Sequence, residues 1–188
     1  MRHAGTVRIE TERLILRRFQ LSDAQAMYHN WAKDDEVTKY LTWPSHSDIE
    51  ITEKIIESWI NNYEDESYYQ WCIELKAIGE AIGSISVVNR DEKVDSVEIG
   101  YCIGKAFWNQ GITSEALGAV VKFMFDEIGV KRVEARHDTN NPNSGRVMLK
   151  CGFTYEGTKR KADINNQGIC DAAIYGILKE EYNSGKNL

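Results

Sequence analysis

Glu98-Ile99-Gly100-Tyr101-Cys102-Ile103-Gly104-Lys105-Ala106-Phe107-Trp108-Asn109-Gln110-Gly111-Ile112-Thr113-Ser114-Glu115-Ala116 reads as a strand, a short loop and the start of a helix, with glycine at the turn. The first turn of a helix leaves several backbone N–H groups without intrahelical partners, and the helix dipole is positive at that end. Together these make an anion site suited to a pyrophosphate. Gly111 lets a backbone come close to phosphates, and Thr113 and Ser114 add hydroxyl donors. A capped amphipathic helix fits the same residues, because Ser and Thr near a helix start also serve as caps. Neither a Walker loop nor a G-x-G-x-x-G fingerprint is present.

Upstream, Leu14 to Phe19 reads as a strand, Ala24 to Trp31 as a helix entered at Ser22-Asp23, and about Ser47 to Tyr63 as a second helix with a broad apolar stripe. Three strands follow: Tyr68 to Leu75, Ala81 to Val88 and Ser96 to Ile103. Downstream, a long helix runs from about Asn109 or Gly111 to Glu127, then a strand from Val130 to His137 and a helix from Asn143 to Lys150 that Gly152 stops. Phe153 to Ala162 and Ile169 to Glu180 read as strands joined by the turn Asn165-Asn166-Gln167-Gly168. The order β-α-α-β-β-β-α-β-α-β-β predicts a mixed α/β domain.

The 188 residues contain no repeat, linker or low-complexity tract and only two prolines, which predicts a single domain. No apolar run approaches the roughly 20 residues of a membrane span, and Met1 to Glu10 lacks the apolar segment of a secretory signal. A cytoplasmic protein is expected. Cys72, Cys102, Cys151 and Cys170 form no C-x-x-C pair and share no metal-ligand spacing with a histidine, so they read as small hydrophobes, and no metal is expected. A net charge of −6 argues against direct nucleic-acid binding and suits a cationic substrate.

Trp108 to Ala116, preceded by Glu98-Ile99-Gly100-Tyr101, resembles the acetyl-coenzyme A segment of the GNAT N-acetyltransferases, and most closely the branch of ribosomal-protein N-terminal acetyltransferases (RimJ/RimL-like). Thr11-Glu12-Arg13-Leu14-Ile15-Leu16-Arg17 is similar to the opening strand of that branch. Asn141-Pro142-Asn143-Ser144, with Arg146-Val147-Met148 and Lys150-Cys151-Gly152-Phe153, resembles its N-x-x-S helix and K-x-G-F ending, and Asp171 to Tyr182 its closing strand. The resemblance covers about residues 10 to 182, in the family's order. It departs from the loop pattern Q/R-x-x-G-x-G/A at Trp108 and Thr113, and Met148 stands where many members carry a tyrosine acid.

The resemblance implies a mostly antiparallel central sheet flanked by helices, and direct attack of an amine on the thioester of acetyl-CoA. Backbone groups of Tyr101, Cys102 and Ile103 would pair with the pantetheine arm as an added strand. Amides around Gln110, Gly111, Thr113 and Ser114 would hold the pyrophosphate, and Asn141 would hold the pantetheine from the other side. Ser144 is the candidate acid for the departing thiolate, although an early-helix serine bonded to backbone fits equally. Glu98 is the candidate base, acting through a water; a carboxylate simply paired with a lysine or arginine is the alternative.

The expected acceptor is a protein α-amine, such as the basic N-terminus of a ribosomal protein. A small amine (polyamine, amino acid or antibiotic) is the second reading, and a non-catalytic acyl-CoA-binding module the third. The chain is expected to act as a monomer or homodimer. Of the tryptophans, Trp43 beside Pro44 is the best placed to touch substrate; Glu64-Asp65-Glu66 reads as a solvated turn and His137 as structural.

Overall fold

Alternating apolar residues build the sheet, and two helical layers cover its faces. The computed structural model describes residues 1–185. Strands β1 (Ile9–Glu10), β2 (Leu14–Arg17), β3 (Gln70–Leu75), β4 (Glu80–Asp91), β5 (Ser96–Ile103), β6 (Arg132–Asp138), β7 (Thr154–Asn165) and β8 (Gly168–Leu178) form one sheet in the order β1-β2-β3-β4-β5-β6-β8-β7. Every neighbouring pair is antiparallel except β5 and β6. That parallel pair requires a crossover, which the helix at Ile112–Phe123 supplies.

The helices are α1 (Ala24–Met27), α2 (Asp35–Thr38), α3 (Ile49–Asn62), α4 (Ile112–Phe123), α5 (Pro142–Lys150) and α6 (Lys179–Asn183). Asp48 caps α3 by accepting from the amide of Ile51 at 3.1 Å. Helix α5 opens on Pro142, which needs no amide partner in the first turn. It ends where Gly152 turns left-handed at φ +83° and the amide of Phe153 returns to the carbonyl of Met148. One core packs α4 and α5 against Leu16, Trp71, Ile85, Ile99 and Val133. A second packs α1 and α3 against Cys72 and Ala81 on the other side of the sheet.

The mixed α/β reading holds, with local differences. The first strand stops at Arg17 and pairs with a short edge strand at Ile9–Glu10. The first and central helices each finish in a π turn, Tyr28–Ala32 and Met124–Ile128. Two short helices, α2 and α6, have no apolar periodicity long enough to announce them. Among the described residues no helix is long and apolar enough to cross a membrane.

Candidate active site

Strands β5 and β6 are in register only at Ser96↔Arg132, Val97↔Val133 and Glu98↔Glu134. Beyond Glu98 the two part, yet β5 continues to Ile103 and β6 to Asp138. The gap opens onto a cavity of about 910 Å³ that reaches both faces of the sheet. On the α4/α5 side its wall includes Ile112, Thr113, Ser114, Asn141, Ser144 and Val147. On the α1/α3 side it includes Tyr40, Trp43, Trp59, Ser84, Arg136 and Asp163.

Strand phase decides which backbone groups face the gap. The amide of Gly104 donates to the carbonyl of Ile82 at 2.8 Å, so position 104 points at β4. Alternation then turns 102 and 100 towards β4, and 103, 101 and 99 towards the gap. Tyr101 therefore presents its backbone to the open edge. Cys102 departs from the sequence expectation: its backbone is paired with Ser84 of β4, and a Cβ on Gly83 would collide with its carbonyl. Ile103 is half-committed, because the indole Nε1 of Trp108 donates to its carbonyl at 2.9 Å. This anchors Trp108 at the loop's first position.

The loop leading into α4 carries two left-handed residues, Asn109 at φ +60° and Gly111 at φ +73°. Gly111 occupies the N-cap without a side chain, and among the described residues no group bonds the amides of Ile112, Thr113 and Ser114. These three amides, at the positive end of a 12-residue helix, fit a diphosphate. Gln110 departs from expectation. It is not on the cavity wall, its side chain donates to the carbonyl of Ala106 at 2.9 Å, and its own carbonyl accepts from Arg13 Nη1 at 2.8 Å.

Across the gap, Asn141 caps α5 with its backbone while its side chain makes no capping bond and lies on the cavity wall. Ser144 lies one turn into the helix. The hydroxyls of Ser144 and Tyr101 are 3.0 Å apart, and the Tyr101 hydroxyl is also 3.1 Å from the Ser144 carbonyl. Burial holds the Tyr101 phenol protonated, well above its ordinary value. Met148 is packed in the core. The sequence pointed to Tyr101 for its backbone and missed its side chain, whose contact joins residues 43 apart in the chain.

Glu98 is buried at 6% exposure on the α1/α3 face, where β5 leaves β6. Its Oε1 lies 3.0 Å from Arg136 Nε, which also lies 3.1 Å from Asp163 Oδ2. Burial pushes the Glu98 carboxyl above the usual range, and Arg136 pulls it back in part. The expected ion pair is thus present, and the same carboxylate lines the cavity. Asp138 adds a further acid: burial disfavours its charge, but hydrogen bonds from the Asn140 amide and Asn165 Nδ2 hold it below the ordinary value. Glu98 and Asp163 share the Arg136 guanidinium, and Asp138 adds a third carboxylate to the cavity lining.

The turn between β7 and β8 closes the same side. Asn166 sends all three of its donors to the end of α2 and the loop after it: its amide to the Leu41 carbonyl, and Nδ2 to the carbonyls of Thr38 at 2.8 Å and Trp43 at 2.7 Å. Trp43 and Trp59 line the cavity, whereas Trp31 and Trp71 are buried in the cores. Cys102 and Cys170 line it too, their thiols pushed up by burial. His137 lies on the wall with Nδ1 2.7 Å from the Asp138 carbonyl, and Glu64 to Glu66 are outside the cavity.

The family described as "Acetyltransferase (GNAT) domain" matches residues 13–154. An uncharacterized N-acetyltransferase of Bacillus subtilis, YoaA, is 34% identical over 171 residues, covering 91% of this chain and 96% of that protein. The ribosomal-protein-serine acetyltransferase of Escherichia coli is 34% identical over 100 residues, 53% of this chain and 55% of its own. The crystal structure of a GNAT-family acetyltransferase from Bacillus anthracis superposes with a TM-score of 0.81 at 27% identity, over 93% of this chain and all of that one.

Proposed function

The chain belongs to the GNAT acetyltransferase family and is an N-acetyltransferase that uses acetyl-CoA, and from that premise we propose that it acetylates a protein N-terminal α-amine of the ribosomal-protein type. The observation that carries this reading is the position of Glu98: a buried carboxylate on the acceptor side of the β5–β6 gap. An α-amine has a pKa near 8, so on the order of a tenth is already neutral at pH 7, and a carboxylate is base enough to complete its deprotonation. A lysine side chain, near 10.4, would ask for a stronger base. The carboxylates of Glu98, Asp138 and Asp163 on the cavity wall beside the Asn166 turn suit a cationic chain end. Similarity to the ribosomal-protein-serine acetyltransferase supports the same acceptor class.

In this reading the amides of Ile112, Thr113 and Ser114 hold the diphosphate, the backbone of Tyr101 aligns the pantetheine as an added strand, and Asn141 borders it from α5. Acetyl-CoA supplies the acetyl group and a thiolate leaving group. Glu98 takes the ammonium proton through a water, leaving the nitrogen lone pair free to attack. Ser144 donates a proton to the departing sulfur and recovers one, through water, from the protonated nitrogen of the collapsing adduct, while Tyr101 holds the Ser144 hydroxyl in place through their 3.0 Å contact. A thiol pKa near 8.5 makes this a modest task.

A thiol-release assay over N-terminal peptides, lysine-containing peptides with blocked N-termini, and small amines tests the proposal. Turnover with free N-terminal peptides is expected. Turnover confined to small amines would overturn the protein acceptor and favour the second reading. Binding of acetyl-CoA without thiol release to any amine would leave an acyl-CoA-binding module.

A further inference from the structure

Thr11 to Arg17 has no part in the chemistry above, yet Arg13 reaches the turn that opens α4. Its Nη1 donates to the carbonyl of Gln110 at 2.8 Å, and its Nε donates to Glu115 Oε2 at 2.6 Å. The other oxygen, Glu115 Oε1, accepts from the Arg13 amide at 2.9 Å and from the Thr11 hydroxyl at 2.6 Å. Arg13 Nη2 would lie 3.6 Å from a Cβ on Gly111. The guanidinium is thus fixed behind the loop, outside the cavity wall.

We propose that Arg13 is a positioning residue for the acetyl-CoA diphosphate, holding the Gln110–Gly111 peptide so that its amide faces the cavity and balancing the charge of Glu115. In a trans peptide the carbonyl and the N–H point in opposite directions. A carbonyl held from behind by Arg13 therefore aims the Gly111 amide forward, in line with the free amides of the first turn. Glycine at φ +73° lets this peptide rotate easily, so an external anchor is needed to fix it. Glu115 places a carboxylate in the first turn of the helix that faces an anionic ligand. Its pairing with Arg13 removes the repulsion that carboxylate would otherwise exert.

The proposal rests on the reading that this turn holds the diphosphate. The test compares acetyl-CoA with acetyl-pantetheine, which carries the same thioester and lacks the diphosphate. Arg13→Lys keeps a positive charge for Glu115 but loses the planar fork that serves Glu115 and Gln110 together. Arg13→Gln also loses the charge. Both variants are expected to raise KM for acetyl-CoA, Arg13→Gln by roughly tenfold or more, the size of a hydrogen bond to a charged group. Turnover of acetyl-pantetheine should be unchanged, which also reports an intact fold. Adding Glu115→Gln to Arg13→Gln should recover the charge part of the loss. Unchanged KM for acetyl-CoA in both variants, or equal loss with both thioesters, overturns the role of Arg13. A wild-type protein that uses both thioesters equally well would instead overturn the diphosphate site itself.

Discussion

Arg136 Nε bridges Glu98 Oε1 at 3.0 Å and Asp163 Oδ2 at 3.1 Å, so one nitrogen from β6 ties the end of the β5–β6 pairing to β7. The shared partner leaves Glu98 only partly neutralised, and burial keeps its carboxyl above the ordinary glutamate range. As the base it must be ionised, so kcat/KM should rise with pH through this elevated value. Glu98→Gln should remove that limb and lower kcat/KM at neutral pH by roughly a hundredfold or more. The same elevation has a consequence for stability. The folded state binds this proton more tightly than the unfolded state, so its contribution is present at low pH and is lost as pH rises through the folded value. Glu98→Gln removes the buried charge and should raise Tm at pH 7, by about 2–4 °C for each kcal/mol gained. A variant with the wild-type pH–rate profile would show that Glu98 is only an ion-pair partner.

Ser144 and Tyr101 form a second linked pair. Ser144→Ala should lower kcat by roughly a hundredfold, the lower end of general-acid effects, because a thiolate leaves readily. Tyr101→Phe should cost about tenfold, since it removes the hydroxyl that holds Ser144 in place. If the two act in series, the double variant should be no slower than Ser144→Ala alone. KM for acetyl-CoA should stay constant throughout, and steady-state kinetics with both substrates varied measures this. Additive losses, or a parallel rise in KM, would assign the pair to packing.

Gly111→Ala separates backbone strain from bulk. Its Cβ would meet only Arg13 Nη2 at 3.6 Å, an ordinary contact, so the cost comes from φ +73° and amounts to about 1 kcal/mol. Stability should fall by that amount, with weakened acetyl-CoA binding. Gly111→Glu adds a negative charge beside the free amides and should abolish binding, as titration calorimetry with coenzyme A would detect. Unchanged affinity in the glutamate variant would place the phosphates elsewhere.

Local pattern made much of this legible. Strand β5 spans Ser96–Ile103 as its alternation indicates, and Gly152 ends α5 as a left-handed residue. The period of two also held an unused signal: adjacent residues cannot both present their backbones to one edge, so Cys102 could have been separated from Tyr101 and Ile103 in advance. What the sequence hides is distance. Arg136 is 38 residues from Glu98 and Arg13 is 97 from Gln110, and neither pairing leaves a periodic trace. The π turns arise where Tyr28–Ala32 and Met124–Ile128 wind one residue wider, with no local residue type to mark them.

Asn166 tests how the cleft selects its acceptor. It joins the β7–β8 turn to the loop at Thr38, Leu41 and Trp43 by three hydrogen bonds. Both connected segments contribute to the cavity wall, through Leu41 and Trp43 on one side and Ile164 and Asn165 on the other. Asn166→Ala keeps the amide bond to Leu41 and loses the two Nδ2 bonds, each worth about 1 kcal/mol net. The loop should then open more often, with faster hydrogen exchange across residues 38–46. Slim N-terminal peptides should show a KM raised several-fold, because the cleft no longer holds their first residue. Bulkier amines should gain relative to them, while KM for acetyl-CoA should stay fixed, because the proposed diphosphate turn at Ile112–Ser114 lies on the opposite face of the sheet. A variant whose exchange increases but whose ranking of acceptors is unaltered would mean that this turn only stabilises the fold, and that selection resides deeper, at Trp59 and the Glu98–Arg136 wall.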